Sequence, residues 1–187
     1  MQPGAEHATR EVIVRADVSE DVRAIDVVNL SAFECENGAR LVSATRACKN
    51  FVPDLSLVAE LNGCIVGHLL LSKIRLERGG GSKTNTILAL GPMSVVPVQP
   101  HRGIGSSLIQ AAVRHARGMR YPTVVVAGHF DCCQRFDFLL ASHWALSANP
   151  PCPDGMLTTM ELTDGFLKGG GSGRDPEVFA EILRSCA

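Results

Sequence analysis

The chain has 187 residues, enough for one domain with a sizeable core and too few for a second full one. Hydrophobic residues make up 45% and charged residues 20%, and a formal net charge of −1 supplies no global field toward nucleic acid or an anionic membrane. No apolar run reaches membrane-spanning length, and the first ten residues lack the apolar core of a secretory signal.

A cytoplasmic protein is therefore expected, a single domain over 1–187 with 1–11 as a flexible tail. The seven cysteines are odd in number, irregularly spaced and without a C-x-x-C pair. That pattern argues against a zinc site and for reduced thiols, so no metal is expected.

Residues 12–15, Val-Ile-Val-Arg, read as a first strand. Ser19 suits a helix N-cap, with Glu20 and Asp21 in the first turn where acids favour the dipole. Val22, Ile25, Val28 and Ala32 then mark one helical face. A second, more broken helix spans 38–50, with Leu41, Thr45 and Cys48 on one side, and Pro53 ends that region. Residues 55–60 and 64–71 are strands joined by Asn62-Gly63, a strong hairpin signal. Glu60 closes the first of them, either as a solvated hairpin residue or as a carboxylate that takes an amine proton through water. His68 lies inside the apolar second strand, where a hydrogen-bonded core histidine is favoured over a catalytic one. Residues 78–83, Arg-Gly-Gly-Gly-Ser-Lys, form a flexible loop, and Ile87 begins a long strand.

That strand is apolar through Leu90-Gly91-Pro92-Met93-Ser94-Val95-Val96-Pro97 and runs into the turn Gln99-Pro100-His101-Arg102-Gly103-Ile104-Gly105. Ile104, Leu108, Ala112 and Ala116 then fall four apart, a helix stripe, with Gly118 as its C-terminal cap. Strand, glycine turn and helix in that order make an anion site. The first helical N–H groups have no internal partner, and the dipole favours a nearby anion by about 0.3–1 kcal/mol. Arg102, with His101 beside it, adds side-chain charge. On spacing alone a phosphate site and a plain tight connection stand level. Leu108 replaces the third glycine of a dinucleotide fingerprint, and no G-K-[ST] triplet occurs. Residues 123–127 form a short buried strand with Gly128-His129 at its carboxyl end, where open α/β sheets place chemistry. His129 is thus a stronger candidate than His68, with a plain loop role equally open.

The segment 90–95, then Pro97 and His101-Arg102-Gly103-Ile104-Gly105-Ser106-Ser107-Leu108-Ile109, resembles motif A of the GCN5-related N-acetyltransferases. Val124-Val125-Val126-Ala127-Gly128-His129 followed by Arg135-Phe136-Asp137-Phe138 resembles the YhbS-like branch of that superfamily. The resemblance covers roughly Val12 to Phe179, and implies a mixed α/β (α+β) fold. That fold is a helix pair and a mostly antiparallel twisted sheet flanked by helices, with splayed fourth and fifth strands that admit the coenzyme. It implies acetyl-CoA as cosubstrate and a primary amine, small or peptidic, as acceptor, attacked directly. It implies that Met93, Ser94 and Val95 hold the pantetheine arm, and that His101, Arg102, Gly103, Ile104, Gly105 and Ser106 hold the diphosphate. A homodimer is compatible with it.

The sequence also departs from that pattern. Cys132 and Cys133 stand where the branch has two tyrosines, the second of which protonates the departing thiolate. A thiol near its ordinary value of about 8.5 carries its proton at neutral pH. Cys133 can therefore serve as the acid, or can be packing only. Pro100 removes a positioning side chain and an N–H. Asp137 replaces a glycine before Phe138, a position that asks for positive φ. These losses motivate an alternative, a non-catalytic acyl-CoA-binding module. Residues 147–154 read as a turn-rich loop, 157–162 as a final strand, 169–173 as a second flexible loop and 178–183 as a short helix.

Overall fold

Four strands in sequence, each antiparallel to the next, form the body of the sheet: β1 (Ile13–Ala16), β2 (Phe51–Leu61), β3 (Cys64–Arg78) and β4 (Lys83–Val95). The computed structural model describes residues 12–32, 37–78, 83–97, 103–128, 134–149, 155–168 and 171–174. Asn62 and Gly63 both take positive φ, 53° and 77°, as a type I′ turn requires, so the β2–β3 hairpin forms where the sequence places it.

From β4 the chain passes through α3 (Ile104–Gly118) to β5 (Thr123–Ala127), which lies parallel to β4. On the far side of β5 are β8 (Leu157–Glu161) and the two-residue β6 (Leu139–Leu140). β7 (Leu146–Asn149) pairs with β9 (Gly171–Arg174), and β9 covers β3 at Arg75, Leu76 and Glu77, beyond the end of β2. The mixed, mostly antiparallel sheet expected from the sequence is present.

Alternation along the strands gives the sheet two different faces. Leu57, Ala59, Leu69, Leu71, Leu88 and Leu90 face α3, whose buried stripe is Ile104, Leu108, Ala112 and Ala116. On the other side lie α1 (Val22–Ala32) and α2 (Asn37–Arg46), with Ile25 and Val42 packed on Val58. Gly67 allows the first turn of α3 to approach β3. A Cβ there would lie 3.0 Å from Leu108 Cδ1, 3.1 Å from Ile104 Cγ2 and 3.3 Å from the Ser94 carbonyl oxygen.

Several local expectations are corrected. Ser19 does not cap α1; it opens a 3₁₀ turn, Ser19–Asp21, and the Asp21 carboxylate accepts the Val18 N–H at 2.9 Å. Val22 of the expected stripe is 38% exposed, and Asn29, four residues after Ile25, is buried on that face instead. Pro53 does not end a region. It lies inside β2, where the register shifts between Phe51 and Ser56 and no ladder donor is required. β4 begins at Lys83, four residues before Ile87.

Gly118 is the last residue of α3 rather than its cap. Arg120 takes the left-handed conformation, and the Tyr121 N–H returns to the Ala116 carbonyl at 3.0 Å. Two expected loops contribute strands, since Ser147, Ala148 and Asn149 belong to β7 and the glycine run enters β9, so 157–162 is not final. The segments 150–154 and 178–183 lie outside the described residues.

Gly67→Val should lower unfolding free energy by about 1–3 kcal/mol, the range for overpacking a filled site. Urea denaturation of both chains checks this; an unchanged midpoint would mean that α3 is free to withdraw from β3.

Candidate active site

The site begins where β4 leaves β5. The two strands pair only at Leu88, Ala89 and Leu90, against Val124, Val125 and Val126. Between Leu90 and Met93, β4 advances one residue more than β3 does, a bulge at Gly91-Pro92. Past the bulge β4 stays on β3, with Met93, Ser94 and Val95 opposite Leu69, His68 and Gly67.

The Val96 N–H donates to the Val66 carbonyl at 2.9 Å, which fixes the phase of this ladder. Peptide groups alternate sides along a strand, so those of Ser94 face β3 and those of Met93 and Val95 face the opening toward β5. Both residues are half-buried. Beyond Leu90 the described part of β5 offers them no ladder partner.

α3 opens beside this edge. Gly103 is its N-cap in the left-handed conformation, φ 69°, and the first intrahelical bond runs from the Ser107 N–H to the Gly103 carbonyl at 2.8 Å. The N–H groups of Ile104, Gly105 and Ser106 precede that bond and so lack intrahelical acceptors. A Cβ on Gly105 would sit 3.9 Å from Met93 Cε and 4.0 Å from a Val95 methyl, in ordinary contact. The helix start and the free strand edge are therefore neighbours. Together they place two adjacent sets of backbone donors along one path, chemistry suited to an elongated ligand with an anionic end.

Of the residues singled out from sequence, Met93, Val95, Gly103, Ile104, Gly105 and Ser106 come together here. Ser94 lies among them with its side chain on the other face of the sheet. Glu60 sits on β2, two strands from β4, where its carboxylate accepts from Arg15 Nε at 3.2 Å. Arg15 also binds Asp21 at 2.6 Å, and that hydrogen bond holds the Asp21 carboxyl below the usual range. His101, Arg102, His129 and Cys133 lie outside the described residues.

His68 is fully buried and hydrogen-bonded, the core histidine that its apolar strand predicts, and it belongs to a polar chain whose other members the sequence reading missed. Ser94 Oγ donates to Asn29 Oδ1 at 2.9 Å, and Asn29 Nδ2 donates to the Ile25 carbonyl at 2.8 Å and lies 3.4 Å from His68 Nδ1. His68 Nε2 is 3.2 Å from Ser56 Oγ, which donates to Asp17, itself paired with Arg46. The one available signal was Asn29, a polar residue at helical spacing from Ile25 on the apolar stripe. Burial pushes the His68 imidazole down to about 3, and the Arg46 charge adds to the fall. The Asp17 carboxylate, 4.0 Å from Nε2, is engaged by Arg46 and does not offset it.

Residues 26–134 match the Acetyltransferase (GNAT) family. The chain is similar to the uncharacterized N-acetyltransferase YjhQ of Escherichia coli, with 32% identity over 132 residues, 71% of this chain and 70% of that protein. Among solved structures it resembles the Escherichia coli GNAT family N-acetyltransferase YhbS in complex with CoA. That match has TM-score 0.82 and 23% identity, covering 95% and 96% of the two chains. It also resembles a GNAT family acetyltransferase from Brucella melitensis in complex with acetyl-CoA, at TM-score 0.71 and 26% identity, covering 91% and 99%.

A histidine neutral in the fold and near 6.5 when unfolded binds a proton only on unfolding between those values. Its contribution is present above about pH 6.5 and is lost as pH falls toward about 3, at up to about 1.4 kcal/mol per pH unit. Urea unfolding at pH 7.5, 6 and 5 should show a steeper acid loss for the native chain than for His68→Gln. Parallel curves would place His68 in contact with water.

Proposed function

This chain belongs to the GNAT acetyltransferase family, and on that premise we propose that it moves the acetyl group of acetyl-coenzyme A onto a primary amine by direct attack. The observation that carries the reading is the opening at the end of β4, edged by the outward amides of Met93 and Val95 and adjoining the amides at the start of α3 that have no intrahelical acceptor. The N–H groups of Gly103, Ile104, Gly105 and Ser106, with the charges of Arg102 and His101, hold the diphosphate. The Met93 and Val95 peptide groups hold the pantetheine arm and polarise the thioester carbonyl.

The amine nitrogen attacks that carbonyl, the C–S bond breaks, and the thiolate leaves. An aliphatic amine has a pKa of about 10.4, so it must lose a proton before attack. His129, two residues after β5 in the sequence, is assigned to that proton; Glu60, paired with Arg15 two strands from β4, could reach it only through a chain of waters. Cys133 is assigned to return one to the thiolate. A positioned acid contributes about 10²–10⁴ in rate. Cys48 and Cys64 are free thiols, in keeping with a reducing compartment such as the cytoplasm, and no described helix is long and apolar enough to cross a membrane.

Thiol release from acetyl-coenzyme A should appear with at least one amine in a panel of peptides, polyamines and small amines. Saturable binding with no release above background would leave only a binding module. Cys133→Ala should lower kcat by roughly 10²-fold and change the pH–rate profile; an unchanged rate and profile would remove it as the acid.

Gly105→Ala should keep the fold, because the new methyl meets only ordinary contacts and alanine favours a helix by about 1 kcal/mol. The same methyl narrows the approach to the first-turn amides, so the KM for acetyl-coenzyme A should rise several-fold. Lower stability with unchanged KM would contradict this placement.

A further inference from the structure

The polar chain beneath β4 has only one consistent set of proton positions. The Ser56 hydroxyl has a single proton, and it goes to the Asp17 carboxylate; toward Arg46 Nη2, 3.2 Å away, the oxygen accepts. Toward His68 it can therefore only accept, which puts an imidazole proton on Nε2, and Nδ1, which faces the Asn29 Nδ2 donor, is bare. Nδ1 then accepts from Asn29 Nδ2, whose other proton is held by the Ile25 carbonyl, and Asn29 Oδ1 remains to accept from Ser94. Turning the amide over would set its oxygen against the Ile25 carbonyl. The direction of every bond from Asp17 to Ser94 is thus determined.

The place where this chain ends matters. Ser94 lies between the two residues whose amides face the opening, in a stretch that, among the described residues, has ladder partners on β3 and none on β5. Apolar packing of α1 on the sheet would hold the helix at least as well, since a buried polar network costs desolvation that apolar packing does not. The hydrogen bond from Ser94 to Asn29 adds a directional restraint where the ladder is missing. We propose that Asn29 and His68 are positioning residues: acting through Ser94, they fix the strand segment that aims the Met93 and Val95 amides at the thioester. This rests on the reading of that opening as the thioester site.

The test uses the full chain, with Ser94→Ala, Asn29→Leu and the conservative Ser94→Thr. Coenzyme A affinity is measured by calorimetry, and kcat by thiol release from acetyl-coenzyme A with an amine active in the panel. A misplacement of about 1 Å costs on the order of 10²-fold in rate. Ser94→Ala and Asn29→Leu should lower kcat about 10- to 100-fold. Their affinity for coenzyme A, gripped at the start of α3 and only in part by the Met93 and Val95 peptide groups, should fall by less than kcat does, and Ser94→Thr should recover most of kcat. Native-like kcat in Ser94→Ala and Asn29→Leu would overturn the proposal, and so would a loss of coenzyme A affinity as large as the loss of kcat.

Nitrogen-15 NMR of the native chain gives a readout that needs no variant. His68 should show the Nε2–H tautomer with Nδ1 unprotonated from pH 5 to 8, and an Nδ1–H form or an imidazolium would overturn the proposal. A native chain that binds no coenzyme A and releases no thiol, while showing that tautomer, would instead refute the acetyl-transfer reading.

Discussion

Past Leu90, β4 has ladder partners on one side only among the described residues, and the candidate site follows from that asymmetry. The bulge at Gly91-Pro92 lets β4 stay on β3 while it leaves its parallel partner. Peptide groups that a sheet interior would consume at Met93 and Val95 are thereby turned outward. The first turn of α3 adds beside them a second set of amides that have no intrahelical acceptor. Neither feature alone specifies a ligand. Adjacent, they line one path with donors suited to a polar thioester at one end and to an anion at the other.

The two faces of the sheet do different work. Toward α3 the contacts are aliphatic, and Gly67 removes the one Cβ that would hold the helix start away from β3. Toward α1 and α2 a small apolar cluster sits beside a fully buried histidine and its hydrogen-bonded neighbours. Aliphatic packing sets distance but tolerates sliding. A directed chain of hydrogen bonds tolerates little, because a shift leaves buried donors unpaired at about 1–3 kcal/mol each. The more exacting restraint is found on the face opposite α3, beneath the part of β4 that lies past its pairing with β5.

Elements whose signal is local were legible. Asn62-Gly63 requires two positive φ angles, and few other residue pairs supply them. The four-residue spacing of Ile104, Leu108, Ala112 and Ala116 specified both the helix and its buried face. Asp137 takes φ 61° where a glycine was expected, which its short polar side chain tolerates. Elements that depend on a distant partner were not legible. The Gly171–Arg174 strand has almost no intrinsic strand preference and exists because β3 and β7 offer it edges. Pro53 reads as a breaker but falls where β2 shifts register and needs no donor.

By itself the sequence determined that a helix with glycine at its start follows β4, and the family resemblance that this order carries, because a left-handed N-cap and a four-residue apolar spacing are local signals. Tertiary structure alone decided which amides of β4 face outward, since that depends on the phase of the ladder with β3 and on a one-residue bulge. It also decided what surrounds His68. Asp17, Asn29, Arg46, Ser56 and Ser94 are spread over five parts of the chain, and only the packing of two helices onto three strands brings them within hydrogen-bonding reach.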